Sequence, residues 1–283
     1  MASCCRENLW HCEQRAPKSK LSLSGLESNV GVMRNALERA FRNVTFPRRL
    51  PADLGGAPIY VSGSAGLKYL FRSMDAIDPV LCGMATEFVR PNHVVWDVGA
   101  NVGLFTFASA YIAGSKGQIY AFEADPWLVQ LLQRSAAIQP SACAPIRIVP
   151  AAVANSCDIR TFNIARRSRA SNSLAELGQG QTGGIKERQT VVSLSLDWLS
   201  QRLPAPDVLK IDVEGAELEV LTGAKGMLRD KKPIIMCEVC ESTCVQVSEI
   251  LSSLGYTLYD ADAAPENRVR LDRAPSNTLA FAT

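Results

Sequence analysis

The stretch Val94-Val95-Trp96-Asp97-Val98-Gly99-Ala100-Asn101-Val102-Gly103-Leu104-Phe105-Thr106 decides the fold. Apolar residues lead into an acid, a loop with two glycines follows, and then an apolar helix begins. That is the pattern of a buried strand ending in a tight turn at a helix N-terminus. Lacking Cβ atoms, Gly99 and Gly103 would let a ligand reach the backbone. Asp97, at the strand's carboxyl end, would face the crevice where open α/β sheets bind their ligands. The turn is a candidate nucleoside site.

Downstream of it the chain alternates. Further apolar strands are predicted at 118–122, 146–149, 208–212 and 233–239, with helices at 105–113, 127–138, 216–228 and 243–254. This rhythm makes βαβ units and a mostly parallel sheet with helices on both faces. Segments 255–259 and 277–282 would close the sheet as an antiparallel pair. The alternation breaks where 160–165 and 189–195 read as two strands around a Ser/Gly-rich stretch, 168–184. An inserted hairpin with a long, mobile tip is expected there.

Upstream, Leu26, Val30, Met33, Leu37 and Phe41 recur at helical spacing and predict an amphipathic helix. A Pro/Gly-rich passage at 46–58 reads as a connector, and 64–89 as one or two helices. Residues 1–60 are therefore expected to be an arm with one helix, and 61–283 the main domain.

Composition narrows the function classes. With 47% apolar residues, 20% charged residues and a net charge of +2, the chain reads as a soluble globule. Such a balance gives no electrostatic case for nucleic acid as the main partner. The N-terminus lacks the apolar core of a secretion signal, and no run approaches the roughly 18 residues of a membrane span. Nine cysteines, an odd number, suggest no disulfide framework, so a reducing cytoplasm is expected. Cys4, Cys5, His11 and Cys12 read as part of a frayed arm, and Cys237, Cys240 and Cys244 as packing; neither group has zinc-ligand spacing. His11 and His93 are the only histidines, which leaves a Ser-His-Asp or Cys-His hydrolase poorly supported.

Two further clusters carry chemistry. Glu123 follows the second strand directly, twenty positions after Gly103, where a carboxylate can accept hydrogen bonds from both ribose hydroxyls of a nucleoside. This suits NAD and S-adenosylmethionine alike. A dinucleotide turn wants three glycines, yet Asn101 stands where the middle one would be, and Asp97 would repel a pyrophosphate while attracting a sulfonium and an ammonium. The turn leans to the methyl donor. In Lys210-Ile211-Asp212-Val213-Glu214-Gly215-Ala216-Glu217, strand alternation puts Lys210 and Asp212 on one side, and Glu214 at the turn over the same crevice. A structural ion-pair network is the rival reading of these three. Glu217 reads as a first-turn helix acid. Glu238, at the end of the fifth strand, is a second-rank candidate.

These blocks, with Leu196-Asp197-Trp198-Leu199 and Ser171-Asn172-Ser173-Leu174, resemble the FkbM family of S-adenosylmethionine-dependent methyltransferases over roughly residues 75 to 283. The resemblance implies a class I methyltransferase (Rossmann-like) sheet, doubly wound, of seven strands with the last antiparallel. It implies methyl transfer to a hydroxyl, commonly on a sugar or a polyketide-like natural product. Carried over by position, Asp97, Gly99, Ala100, Asn101, Gly103 and Glu123 become cofactor contacts, and Lys210, Asp212 and Glu214 the active-site cluster. Asp125 departs from the family, which more often has a proline directly after the acid. Paired carboxylates could also hold Mg²⁺ against two sugar hydroxyls. Two rival classes stand beside this one: an NAD-binding oxidoreductase, and a non-catalytic cofactor-binding scaffold.

Overall fold

The computed structural model describes residues 44–65, 77–166, 168–177 and 184–283. The expected helix at 26–41 and the group Cys4, Cys5, His11 and Cys12 lie outside these residues.

Seven strands form the main sheet. In chain order they are β3 (Val94–Val98), β4 (Gln118–Phe122), β5 (Ile146–Val149), β10 (Val208–Ile211), β11 (Ile234–Glu238), β12 (Tyr256–Asp260) and β13 (Asn277–Ala282). Their spatial order is β12-β13-β11-β10-β3-β4-β5, with β13 alone running antiparallel to its two neighbours. Helices α1 (Pro79–Phe88), α2 (Leu104–Ala113) and α3 (Pro126–Ala136) are followed by α4 (Leu196–Ser200), α5 (Glu217–Thr222), α6 (Lys225–Lys231) and α7 (Cys244–Ser253). Alternate strand residues enter two cores: Val95, Ile119 and Val208 on one face, Trp96, Tyr120 and Leu209 on the other. Burial on both faces is why the central strands read as largely apolar runs, interrupted by Asp97 and Lys210. This is the doubly wound sheet expected, with the class I methyltransferase strand order.

Strand order reverses at β3, which pairs in parallel with β4 on one side and β10 on the other. Chain connections leave the carboxyl ends of β3 and β10 in opposite directions, and a crevice opens between them. The turns after these two strands are therefore neighbours, although more than a hundred residues separate them.

Three local expectations change. The passage at 46–58 is not a plain connector: β1 (Thr45–Arg49) and β2 (Pro58–Ser62) form an antiparallel hairpin, and Leu50, Leu54, Ile59 and Val61 are buried in the first core. A domain boundary at residue 60 falls inside that hairpin. Its prolines sit in a two-stranded ribbon, where missing donors are tolerated at the edges. The helix expected at 216–228 is broken into α5 and α6, because Asp197 caps the second piece by accepting from Gly226 N (3.2 Å) and Met227 N (2.7 Å).

The insertion is a four-stranded sheet in the order β6-β9-β7-β8, from β6 (Ala152–Val153), β7 (Asp158–Ala165), β8 (Ser173–Leu174) and β9 (Ile185–Leu194). A hairpin was expected, but its tip is not free over 168–174. Arg169 and Asn172 both donate to Asp125, the latter at 2.7 Å, and Asn172 Oδ1 accepts from Ala165 N at 2.8 Å. No helix among the described residues is long and apolar enough to cross a membrane.

Candidate active site

Glu123 is the best-oriented side chain at the crevice. Leaving the tip of β4, it accepts from Asn101 N at Oε2 and from Asp125 N at Oε1, both at 2.8 Å. Each carboxylate oxygen thus has one backbone donor fixing its direction. Burial pushes its pKa up to about 7, against the pull of the two backbone donors.

The glycines also answer a packing demand of the fold. A Cβ on Gly99 would lie 1.8 Å from Asp212 O, and one on Gly103 would lie 2.4 Å from the Phe107 ring. They let the first turn lie against the β10 turn and against α2, and both adopt positive φ. Asn101 also has positive φ (54°), which asparagine tolerates better than most residues.

Asp97 does not face the crevice. It is fully buried on the α2 side of the sheet, where Oδ2 accepts from Thr106 Oγ1 at 2.5 Å and Oδ1 lies 3.2 Å from Lys210 Nζ. The cause is register: Lys210 pairs with Asp97 across β3 and β10, which puts both on one face. Lys210 Nζ donates to Gly99 O at 2.9 Å and lies 3.3 Å from Asp212 Oδ2. Burial opposes its charge, yet Asp212 and Asp97 outweigh that and hold its pKa above the ordinary lysine range. An acid–lysine–acid chain ties the two turns together. Ala100 and Gly103 are buried in the turn and do not line the cavity.

A cavity of about 300 Å³ opens over these turns. Of the predicted residues it brings together Gly99, Asn101, Glu123, Asp212, Glu214 and Glu238. Glu214 has φ of 24°, a strained value for a side chain with a Cβ, and projects from the turn before Gly215. Glu238 and Asp212 share a hydrogen bond. Burial first, then the charge of Asp212, pushes both Glu214 and Glu238 up to about 7. Glu217 is buried instead, and Oε1 accepts from Gly215 N at 2.8 Å, so it braces the turn from beneath.

Sequence reasoning missed Asp78, the N-cap of α1, which lines this cavity and accepts from Leu81 N at 3.1 Å. An aspartate before a proline at a helix start was the available signal. It also missed the wall supplied by the insertion, Phe162, Arg169 and Asn172 among others. That wall hangs on Asp125, fully buried, which also caps α3 through Trp127 N (2.9 Å). Replacing Arg169 with methionine strips one charged partner from Asp125. We expect it to lower stability by ~1–3 kcal/mol and to weaken ligand binding in the cavity. Urea midpoints alone and with ligand check this; unchanged values in both would mean the wall stands without the pair.

Cys237 and Cys244 are buried and Cys240 is exposed. Among the described residues no group of three or more His, Cys, Asp or Glu side chains could hold a metal ion. His93 sits at the amino end of β3, away from the crevice, and accepts from Arg90 N at 3.2 Å.

Comparison with known proteins finds a family and relatives for part of the chain. The family described as "Methyltransferase FkbM domain" matches residues 97–258. Hexuronic acid methyltransferase AglP of Haloferax volcanii is 28% identical over 152 residues, 53% of this chain and 57% of that protein. The chain thus spans little more than half of that relative. Among solved structures, Methyltransferase FkbM from Methylobacillus flagellatus KT gives a TM-score of 0.44 at 15% identity, covering 91% of this chain and 60% of that one. A SAM-dependent O-methyltransferase from Thermotoga maritima gives 0.40 at 15% identity, covering 76% and 68%.

Proposed function

The chain belongs to the FkbM methyltransferase family, and on that premise we propose that it uses S-adenosylmethionine to methylate a hydroxyl of a sugar or natural-product-like small molecule. The observation that carries this reading is Glu123: a carboxylate with both oxygens oriented, beside the glycine turn and across one cavity from the acids after β10. The residues present suit such a cofactor. Asn101 Oδ1 is buried at the cavity without a hydrogen-bond partner, and the lining acids favour a cationic ligand.

Glu123 would accept from the ribose hydroxyls, and Asn101 would offer its free oxygen beside them. When bound, S-adenosylmethionine supplies a methyl group on a sulfonium sulfur, open to in-line attack by oxygen. Asp212, Glu214 and Glu238 stand where an acceptor hydroxyl can be held and can leave its proton. Lys210 positions Asp212 rather than touching substrate.

The NAD reading loses support from the same acids. The charge expected to repel a pyrophosphate belongs to Asp212, Glu214 and Glu238; Asp97 is buried against Lys210.

Calorimetric titration with S-adenosylhomocysteine tests the reading, with NAD as the control. Glu123→Ala leaves two backbone donors unmet, and we expect it to weaken binding by ~100-fold. Since ribose hydroxyls donate to the ionised carboxylate, binding should tighten as pH rises through about 7. Stability of the empty protein should run the other way. A raised carboxyl pKa stabilises the fold fully below about 4.5, and that contribution is lost as pH climbs through about 7. The thermal shift given by S-adenosylhomocysteine should therefore be larger at pH 8 than at pH 6. No binding by the wild-type chain, or preference for NAD, would overturn the proposal.

A further inference from the structure

We infer that Arg169, from the inserted sheet, donates to a ring nitrogen of the cofactor's base and so helps set which nucleoside the cavity accepts. This rests on the methyltransferase reading above and deepens it. The sheet order β11-β10-β3-β4-β5 separates two kinds of cavity lining. Asp212 and Glu214 follow β10, and Glu238 ends β11. On the far side of β4 the lining is apolar: Leu128, Ala151, Ala152 and Val153, with Phe162 and Leu174 of the insertion. Glu123 stands between the two, at the tip of β4. A nucleoside whose ribose meets Glu123 and whose sulfonium turns to the acids has this apolar slot left for its flat base.

Arg169 is the only cationic side chain among the described residues that line this cavity. Its place is fixed from the Glu123 turn. The guanidinium donates through Nη1 to Asp125, and Asp125 N donates to Glu123 Oε1 at 2.8 Å. One residue therefore sets the arginine relative to the proposed ribose carboxylate. The same guanidinium lies 5.6 Å from the centre of the Trp127 ring. A guanidinium has five N–H donors. Among the described residues Arg169 uses Nη1 alone, although its side chain is just 14% exposed. Donors held that far from water call for acceptors. Asn172 beside it is already engaged, Nδ2 donating to Asp125 at 2.7 Å and Oδ1 accepting from Ala165 N at 2.8 Å. A purine brings what Arg169 lacks: bare ring nitrogens, in-plane acceptors on the edge of an apolar ring. A ribose oxygen is the rival acceptor, and the test separates the two.

Calorimetric titration of the full chain compares S-adenosylhomocysteine with three isosteres, each with one bare ring nitrogen of the base replaced by C–H. One of these replacements should weaken binding to the wild-type chain by ~10-fold or more, as loss of a hydrogen bond to a charged donor does. Arg169→Lys keeps a cation for Asp125 but loses the planar fork. Its affinity for S-adenosylhomocysteine should fall by a similar factor, and in it the same isostere should then cost less than about twofold. Should the lysine variant not fold, Arg169→Gln, whose amide can still donate to Asp125, takes its place in the cycle. Equal binding of all four ligands by the wild-type chain overturns the inference, and is the result a ribose contact would give. So does a loss that persists undiminished in the variant, because another group then meets that nitrogen. If S-adenosylhomocysteine itself does not bind, the methyltransferase reading falls and this falls with it; if it binds and the cycle shows no coupling, only the assignment of Arg169 falls.

Discussion

Asp212→Asn is expected to cut turnover by ~10²–10⁴-fold, the usual worth of a positioned proton acceptor, while S-adenosylhomocysteine affinity stays within about threefold. On the proposed reading the two effects separate, because Asp212 and Glu123 line the cavity from the ends of different strands, β10 and β4. The pH profile gives a second, sharper readout. Glu214 and Glu238 are pushed up to about 7 partly by the charge of Asp212, and Glu238 also by its hydrogen bond to it. Wild-type rate should climb as pH passes through about 7 and these acids ionise. In the asparagine variant one cause of the shift is gone, so the residual rate should reach its plateau at lower pH. A merely structural Asp212 would lower rate and stability together and leave the inflection in place. Full activity in both Asp212→Asn and Glu214→Gln would remove the acid cluster from the chemistry.

Much of this was legible in the chain because the deciding signals are local. Four largely buried strands announce themselves as apolar runs, β5 is a short edge strand with an arginine, and the helices follow their strands within a few residues. Glu123, Asp212 and Glu214 stand at strand ends, and the ends of parallel strands converge by topology alone. What escaped were facts set by long-range register. Nothing near Asp97 shows that it faces α2 and a lysine 113 residues on rather than the crevice. The break between α5 and α6 depends on Asp197, nearly thirty residues upstream. Asp78 reaches the cavity from a helix start and Arg169 from a Ser/Gly-rich stretch, and neither local signal says which cleft the side chain meets. Gly99 and Gly103 were expected to let a ligand approach; neighbouring protein atoms also require them.

The buried chain Asp97–Lys210–Asp212 carries the largest expected effect on stability. Lys210→Met keeps much of the side-chain volume but leaves Asp97, fully buried, with Thr106 Oγ1 as its one hydrogen-bond donor among the described residues. Removing one partner of a buried pair typically costs about 3–5 kcal/mol, because the remaining charge has lost its compensation and cannot reach water. Urea midpoints would show the deficit. Adding Asp97→Asn should restore most of the loss, since a neutral amide can accept from Thr106 without needing a cation. Recovery of stability without recovery of turnover would then separate the two duties of Lys210, compensating Asp97 and holding Asp212 at the cleft. A single Lys210→Met variant as stable as wild type at pH 8 would mean the pair contributes nothing to the fold. The lysine's place in an otherwise apolar strand would then have to be explained by the chemistry alone.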